Sequence, residues 1–487
     1  MGNALGVLSY AGTAIATLPV NLAGNGTLII QTATLKFKEA SIDAIRGLFT
    51  AVLESTPKVV HQLSPRLLLT TADNLVRAVV NALTSQVGSL PIIKKDLASN
   101  EINKATISLL WRDSAELGRF LVGLLDPIKR YALANSDTGI AEPNEEHGTN
   151  NELDLTDPMN RHAVICQFQR LVRSVVLILS HMTRNPSQGI DITHETTLLS
   201  DQTNTTITVP SSTPSGWAIK HKEKWIFVNG IAGELYWLKT ACIKIATKYE
   251  REVTGVFNRG DGILWDLLEC AGERRLHGSE RAASQRQLIK RTASSRNAQE
   301  ALKKELEEAL RLAEEETKIV VIAHSQGCLL LQLSLEDILV GRTALLSDST
   351  PTSQETYASA RKKMRKHLYV FTFGNPSVDW RLETSDQDCI SQSSYDDFRG
   401  EEDIAHLSSY VHCTEHFANE KDFVAKLGVL NPNRGANSGY SNIFINNRPT
   451  WIGHLFGTQY SLNKDHYQPN SQTSRLLECL PGQSISD

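Results

Sequence analysis

Ser325 stands in the run VVIAHSQGCL, residues 320–329, where β-branched and apolar residues end at a small residue, a histidine and the serine, and apolar residues then resume. Ala323 lies two positions before Ser325 and Gly327 two positions after it. A turn sharp enough to present a serine hydroxyl between a strand and a helix needs small residues at both of those positions. The competing reading is a serine that caps the helix. A nucleophilic serine needs a base to take its proton, and the base needs a carboxylate to orient it. Asp422 in HFANEKDFVAKLGVL is preferred as that acid, with Asp379 in FGNPSVDW as the alternative. His454 in NRPTWIGHLFGTQYSL is preferred as the base, with His466 in NKDHYQPN as the alternative. His412 and His416 fall in or beside a strand-like run and read as structural, and His324 reads as packing beside the nucleophile.

Attack on a carbonyl also creates an oxyanion, which needs N–H groups aimed at it before the charge forms. Gln326, the first residue after the serine, would supply one from a helix N-terminus. The segment VNGIAG, residues 228–233, supplies the other candidate, the Ile231 amide, with Gly230 letting the backbone approach.

These residues need a scaffold, and from Trp225 onward the pattern supplies one. KWIFVNG, EVTGVFN, KIVVIAHS, HLYVFTFGN and YVHCTEHFAN read as strands. GELYWLKTACIKIATKY, AQEALKKELEEALRLAEEE and QGCLLLQLSLEDILV read as the helices between them. Strands alternating with helices predict a mostly parallel sheet with helices on its faces. In such sheets sites gather beyond the carboxyl ends of the strands, which is where every candidate above falls.

The rest of the chain is of a different kind. Residues 36–184 read as a helical region, as in SIDAIRGLFTAVLE and TADNLVRAVVNALTSQV, where apolar residues recur at three- and four-residue spacing. Residues 185–216, rich in Ser, Thr, Asn and Pro, read as a link to the α/β domain of 217–470, and 471–487 as a tail. Residues 1–35 form an apolar leader without a charged residue, but Ser9, Thr13, Pro19 and Asn21 interrupt it too often for a spanning helix. The leader reads as buried or free, with weak peripheral membrane contact as the second reading.

A net charge of −4 over 487 residues gives no reason to invoke nucleic acid as a partner. The basic run Arg274 to Arg296 reads as a solvated loop. Seven cysteines lie singly, with no CxxC pair, which predicts reduced thiols and an intracellular, cytoplasmic protein rather than a disulfide framework or metal site.

Residues 220–470 resemble an α/β-hydrolase. IAHSQG resembles the nucleophile elbow, with Ala323 in place of the commoner glycine, and NGIAG the lipase H-G-x-x-G loop, with Asn229 in place of histidine. FTFGNPSV followed by HFANEKDFVAKL is similar to the strand and acid-bearing loop of lipases, and the whole set resembles a group of poorly characterised fungal α/β-hydrolase-domain proteins. The resemblance implies a serine hydrolase that cleaves a carboxylic ester or thioester, small-molecule or lipid, with no cofactor and no metal. The alternative is a catalytically silent hydrolase-fold module that serves as an interaction or membrane-associated scaffold.

Overall fold

The computed structural model describes residues 205–211, 222–260 except 232, 293–340, 353–380, 406–448 except 433 and 435–437, 453–468 and 473–486. It also describes scattered residues between 152 and 170 and positions 262, 266 and 270. The chain divides into two compact units. In the first, the described residues of 158–170 are helical; the leader 1–35, most of the helical region 36–184 and positions 274–292 of the basic run lie outside the described residues. The end of that run, 293–296, expected as loop, opens a helix instead. The second unit, Glu146–Asn151, Thr203–Gly260 and Glu269–Asp487, holds every strand described and every candidate site residue.

Seven strands form one sheet: β1 (Thr206–Val209), β2 (Glu223–Val228), β3 (Val253–Val256), β4 (Lys318–His324), β5 (Leu368–Phe373), β6 (Cys413–Asn419) and β7 (Ile443–Asn446). Their order is β1-β3-β2-β4-β5-β6-β7. All neighbours run parallel except β1, which pairs antiparallel with β3. Strands β2, β4 and β5 bury both faces, which is why they read as continuous apolar runs rather than alternating ones. Trp225, Phe227, Val320, Ile322, Tyr369, Phe371 and Phe373 enter one core, together with Leu238, Ala241, Cys242 and Ile245 of helix α1 (Leu235–Tyr249). The alternate residues Ile226, Val321 and Val370 are equally buried. They belong to the face where α2 (Ala293–Leu312), α3 (Gln326–Val340) and α4 (Ser353–His367) pack on one another and on the strands. On α2, Ala298, Leu302, Leu306 and Leu310 form a buried stripe at four-residue spacing, as the sequence pattern requires of a helix with one dry face.

The strand order sets where a site can form. From β2 the chain crosses to β3 on one side; from β4 it proceeds to β5 on the other. The chain therefore leaves β2 and β4 in opposite directions, and it is beyond the carboxyl ends of two such strands that sites form in sheets of this kind.

Strand β7 and helix α4 were not expected from the sequence, and three further segments differ from the expectation. Thr206–Val209, inside the expected link 185–216, forms strand β1. It is an edge strand with Val209 as its one buried residue, so its apolar signal is faint. The strand expected from Tyr410 starts at Cys413, because Leu407–Tyr410 closes into a 3₁₀ turn. Residues 473–486, expected as a tail, carry Leu476, Leu477, Cys479 and Ile485 into the sheet core. Ser474 Oγ and the Arg475 N–H donate to the buried Glu415, while Ser484 Oγ and the Ile485 N–H donate to Glu223.

Candidate active site

Ser325 sits between the last residue of β4 and the first of α3 with φ +56°, a left-handed conformation that a serine adopts only under constraint. The constraint is visible in its bonds. Its N–H donates to Phe373 O on β5 at 2.8 Å, and its carbonyl accepts Cys328 N–H at 2.9 Å, the first turn of α3. The chain thus leaves the strand and enters the helix within one residue. A helix cap has extended backbone, so the positive φ at Ser325 speaks against the capping reading.

Close packing explains the small residues around the turn. A Cβ on Gly327 would lie 2.7 Å from Val228 O and 2.8 Å from Asn229 O, carbonyls at the end of β2 that have no room to move. A Cβ on Gly230 would lie 2.2 Å from Ser325 Cβ and 2.8 Å from its Oγ. The loop after β2 is therefore pressed directly against the serine. Ala323, inside β4 between Val228 and Thr372, keeps its methyl fully buried, so the substitution for glycine is accommodated.

His454 and Asp422 complete a hydrogen-bonded chain. His454 Nε2 lies 2.7 Å from Ser325 Oγ, and His454 Nδ1 lies 2.7 Å from Asp422 Oδ2. All three side chains are buried. A carboxylate only accepts, so Nδ1 carries the imidazole proton and Nε2 is left as the acceptor for the serine hydroxyl. Asp422 arrives at the end of β6 and its Oδ1 caps α5 (Phe423–Leu427) by accepting Val424 N–H at 2.8 Å. This bond fixes the carboxylate plane and leaves Oδ2 directed at the imidazole.

The loop that carries His454 is fastened from three sides, by Asn419 of the Asn-x-x-Asp run that ends in Asp422 and by two residues, Lys244 and Tyr460, to which the sequence reading gave no role. Asn419, the last residue of β6, donates to Gly453 O at 3.0 Å and Gln459 O at 2.9 Å. Lys244 of α1 donates to the carbonyls of Phe456, Gly457 and Tyr460 at the end of α6 (Phe456–Gln459). Tyr460 OH donates to Asp422 Oδ2 at 2.5 Å, so the carboxylate oxygen that faces the imidazole has a second donor. Burial and the Asp422 charge both push the Tyr460 hydroxyl well above its ordinary pKa, so it remains a donor.

His324, expected beside the nucleophile, has its ring 4.7 Å from that of His454 and bonds the His454 carbonyl through Nε2 at 2.7 Å. A carbonyl accepts only, so Nε2 carries the proton. Burial, reinforced by His454, holds the His324 pKa well below the ordinary imidazole value, and the ring is neutral.

The alternatives lie elsewhere. The Asp379 carbonyl accepts from Ser377 Oγ at 2.6 Å and from Gln332 Nε2 at 3.1 Å, and it is Asp422 that faces His454. His466 bonds Ser461 Oγ through Nδ1 at 2.6 Å, not Ser325. His416 shares a 2.6 Å bond with Thr372 Oγ1 and lies edge-on to Trp380 and Tyr440, where burial and then Arg434 hold its pKa down to about 3. His412 packs on the Tyr369 ring.

No protein-family model, curated protein or solved structure matches this chain. The site therefore has to be read from its own geometry. Six of the seven cysteines are described, all as free buried thiols, and burial raises the pKa of those at 242, 328, 413 and 479, which makes them poor nucleophiles. Among the described residues no group of His, Cys, Asp and Glu could hold a metal ion, and no helix is long and apolar enough to cross a membrane.

Proposed function

We propose that the chain is a serine hydrolase of the α/β-hydrolase fold that cleaves a carboxylic ester or thioester. The observation that carries this reading is the continuous chain Ser325 Oγ, His454 Nε2, His454 Nδ1, Asp422 Oδ2, two bonds of 2.7 Å each, beside a serine held at positive φ. In this mechanism Ser325 Oγ attacks the acyl carbonyl while His454 Nε2 takes its proton. Asp422 holds the imidazole in the required tautomer and stabilises the imidazolium. The amides of Gln326 and Ile231, with Gly230 giving the backbone its close approach, receive the negative charge on the carbonyl oxygen. His454 then hands its proton to the leaving alcohol or thiol, and water repeats the sequence to free the acid from Ser325. Every step is proton transfer or acyl transfer, so the reaction balances without a cofactor.

Lipid or another acyl ester is the proposed substrate class, on the similarity of NGIAG and FTFGNPSV to lipase loops. The experiment is pre-steady-state turnover of p-nitrophenyl butyrate. An acyl-enzyme predicts a burst of p-nitrophenol that approaches one equivalent per chain in the wild type and vanishes in Ser325→Ala. Folded wild-type protein that releases no p-nitrophenol above the uncatalysed rate contradicts the reading.

A further inference from the structure

We infer that Asn258, in the turn after β3, is a positioning residue that sets both oxyanion donors, Ile231 through Asn229 and Gln326 directly. The inference rests on the serine-hydrolase reading above and adds to it a residue that closes the run EVTGVFN and to which the sequence reading gave no role.

Asn258 is fully buried two residues past the end of β3. Its N–H donates to Asn229 Oδ1 at 2.7 Å, and its carbonyl accepts Asn229 Nδ2 at 2.7 Å. Both ends of the Asn229 amide are thus engaged by the backbone of one residue, much as a neighbouring strand would engage it. A side-chain amide offers its donor and its acceptor side by side, which suits adjacent N–H and C=O groups. The nitrogens of an imidazole diverge, and this is a physical reason for asparagine at 229 where the lipase-like loop has histidine.

The held amide acts on the loop after β2. Asn229 Nδ2 also donates to Gly230 O at 3.2 Å. Gly230 C=O and Ile231 N–H belong to one planar trans peptide and point in opposite directions. Fixing the carbonyl on Asn229 therefore fixes the direction of the Ile231 N–H, away from Asn229, in a loop already pressed against Ser325 at Gly230. On its other side, Asn258 Nδ2 donates to Gln326 Oε1 at 2.7 Å. In the sheet order β3-β2-β4, this bond spans β2 to reach the first residue of α3. One residue thereby ties the elbow, through its side chain, and the loop beside it, through its backbone, into a fixed pair. Donors aimed in advance need not reorganise when the charge develops, which is the condition under which an oxyanion hole accelerates a reaction.

The test compares Asn258→Ala, Gln326→Ala and the double variant, measuring kcat/KM for p-nitrophenyl butyrate and Ki for an alkyl trifluoromethyl ketone, whose adduct with Ser325 carries an oxyanion. Asn258→Ala is expected to lower kcat/KM about 10- to 100-fold. It should weaken the ketone by the same factor and leave the acid limb of the pH profile in place, because His454 and Asp422 are untouched. Gln326→Ala keeps its backbone N–H but removes the same side-chain bond, and should show the same loss. The double variant should be no worse than Asn258→Ala, since the bond it removes is already gone. If Asn258→Ala does not fold, Gln326→Ala decides, with weaker ketone binding expected and wild-type binding overturning the inference. Wild-type rates and Ki in Asn258→Ala, additive losses in the double variant, or a shifted acid limb also overturn it. If the wild type itself forms no ketone adduct and turns over no ester, the hydrolase reading falls and this inference with it. If the wild type reacts and Asn258→Ala reacts equally, only this inference falls.

Discussion

Among the described residues are two buried serine–histidine pairs. Ser325 and His454 lie 129 residues apart in the chain and meet at 2.7 Å; Ser461 and His466 lie 5 apart and meet at 2.6 Å. By distance and burial alone the two are interchangeable, so neither property identifies a nucleophile. The differences are in what surrounds them. His454 meets its serine through Nε2 and keeps Nδ1 for Asp422, so proton transfer and orientation use opposite sides of the ring. His466 spends Nδ1 on the serine itself. Ser325 is strained at the end of a central strand, whereas Ser461 lies in a loop and accepts Asn463 N–H at 3.0 Å, with His466 in the short 3₁₀ turn that follows. The second pair is a turn fastening. The first has what a nucleophile requires: a base that meets the hydroxyl with one nitrogen, an acid behind the other, and a backbone that projects the hydroxyl.

Asp422→Asn should break the contrast most severely. Asparagine retains a carbonyl oxygen for the Val424 N–H and so keeps the cap of α5, but it no longer holds the productive His454 tautomer. Ester turnover should fall by about 10³- to 10⁴-fold with little change in Tm. A loss of less than tenfold would mean that the carboxylate is incidental, as it would be in a silent scaffold.

A smaller effect is expected from Tyr460→Phe, which removes the second donor to Asp422 Oδ2. The carboxylate is then held less firmly, which should lower plateau kcat/KM about tenfold, while its stronger interaction with the imidazolium should move the acid limb to higher pH. A purely structural tyrosine would lower Tm and leave the acid limb where it was.

His466→Gln sharpens the comparison from the other side. It should cost about 1 kcal/mol of stability, the usual net worth of a hydrogen bond, and leave ester turnover at the wild-type level. Turnover lost in that variant would move the base to the wrong pair.

The smallest effect concerns the structural histidines. His324 and His416 are held below the ordinary imidazole value by burial, whereas in the unfolded chain each titrates near about 6.5. Below that pH the unfolded state binds protons that the folded state refuses, so stability is lost as pH falls. The slope is about 1.4 kcal/mol per pH unit for each histidine, continuing for His416 until about pH 3. His416→Asn should make the dependence of Tm on pH between 6.5 and 5 shallower. An unchanged slope would show that this ring is protonated in the fold.

What the sequence made legible follows the strength of its local signals. β4 and the turn at Ser325 announce themselves because a strand buried on both faces is a continuous apolar run, and a tight turn demands small residues next to it. Asp422 and His454 were legible through their order after the serine and their places at strand or loop ends, and the structure brings both to Ser325. Strands β1 and β7 were not, because each is an edge strand of four residues with a half-exposed pattern. Helix α4 carries the run RKKMRKH, so its charge hides its packing; Arg361, Lys363 and Arg365 donate to backbone carbonyls of neighbouring elements. Asn258, Lys244 and Tyr460 act across 29 or more residues of chain, through single polar atoms with no periodicity. Residues of that kind become visible only when the chain is folded.

The most direct measurement is covalent labelling with a fluorophosphonate, followed by mass spectrometry of the modified peptide, in wild type, Ser325→Ala and Ser461→Ala. A nucleophilic Ser325 predicts a single adduct on that residue in the wild type, none in Ser325→Ala, and a wild-type rate of labelling in Ser461→Ala. Folded wild-type protein that resists the reagent, or an adduct that survives Ser325→Ala, would contradict it.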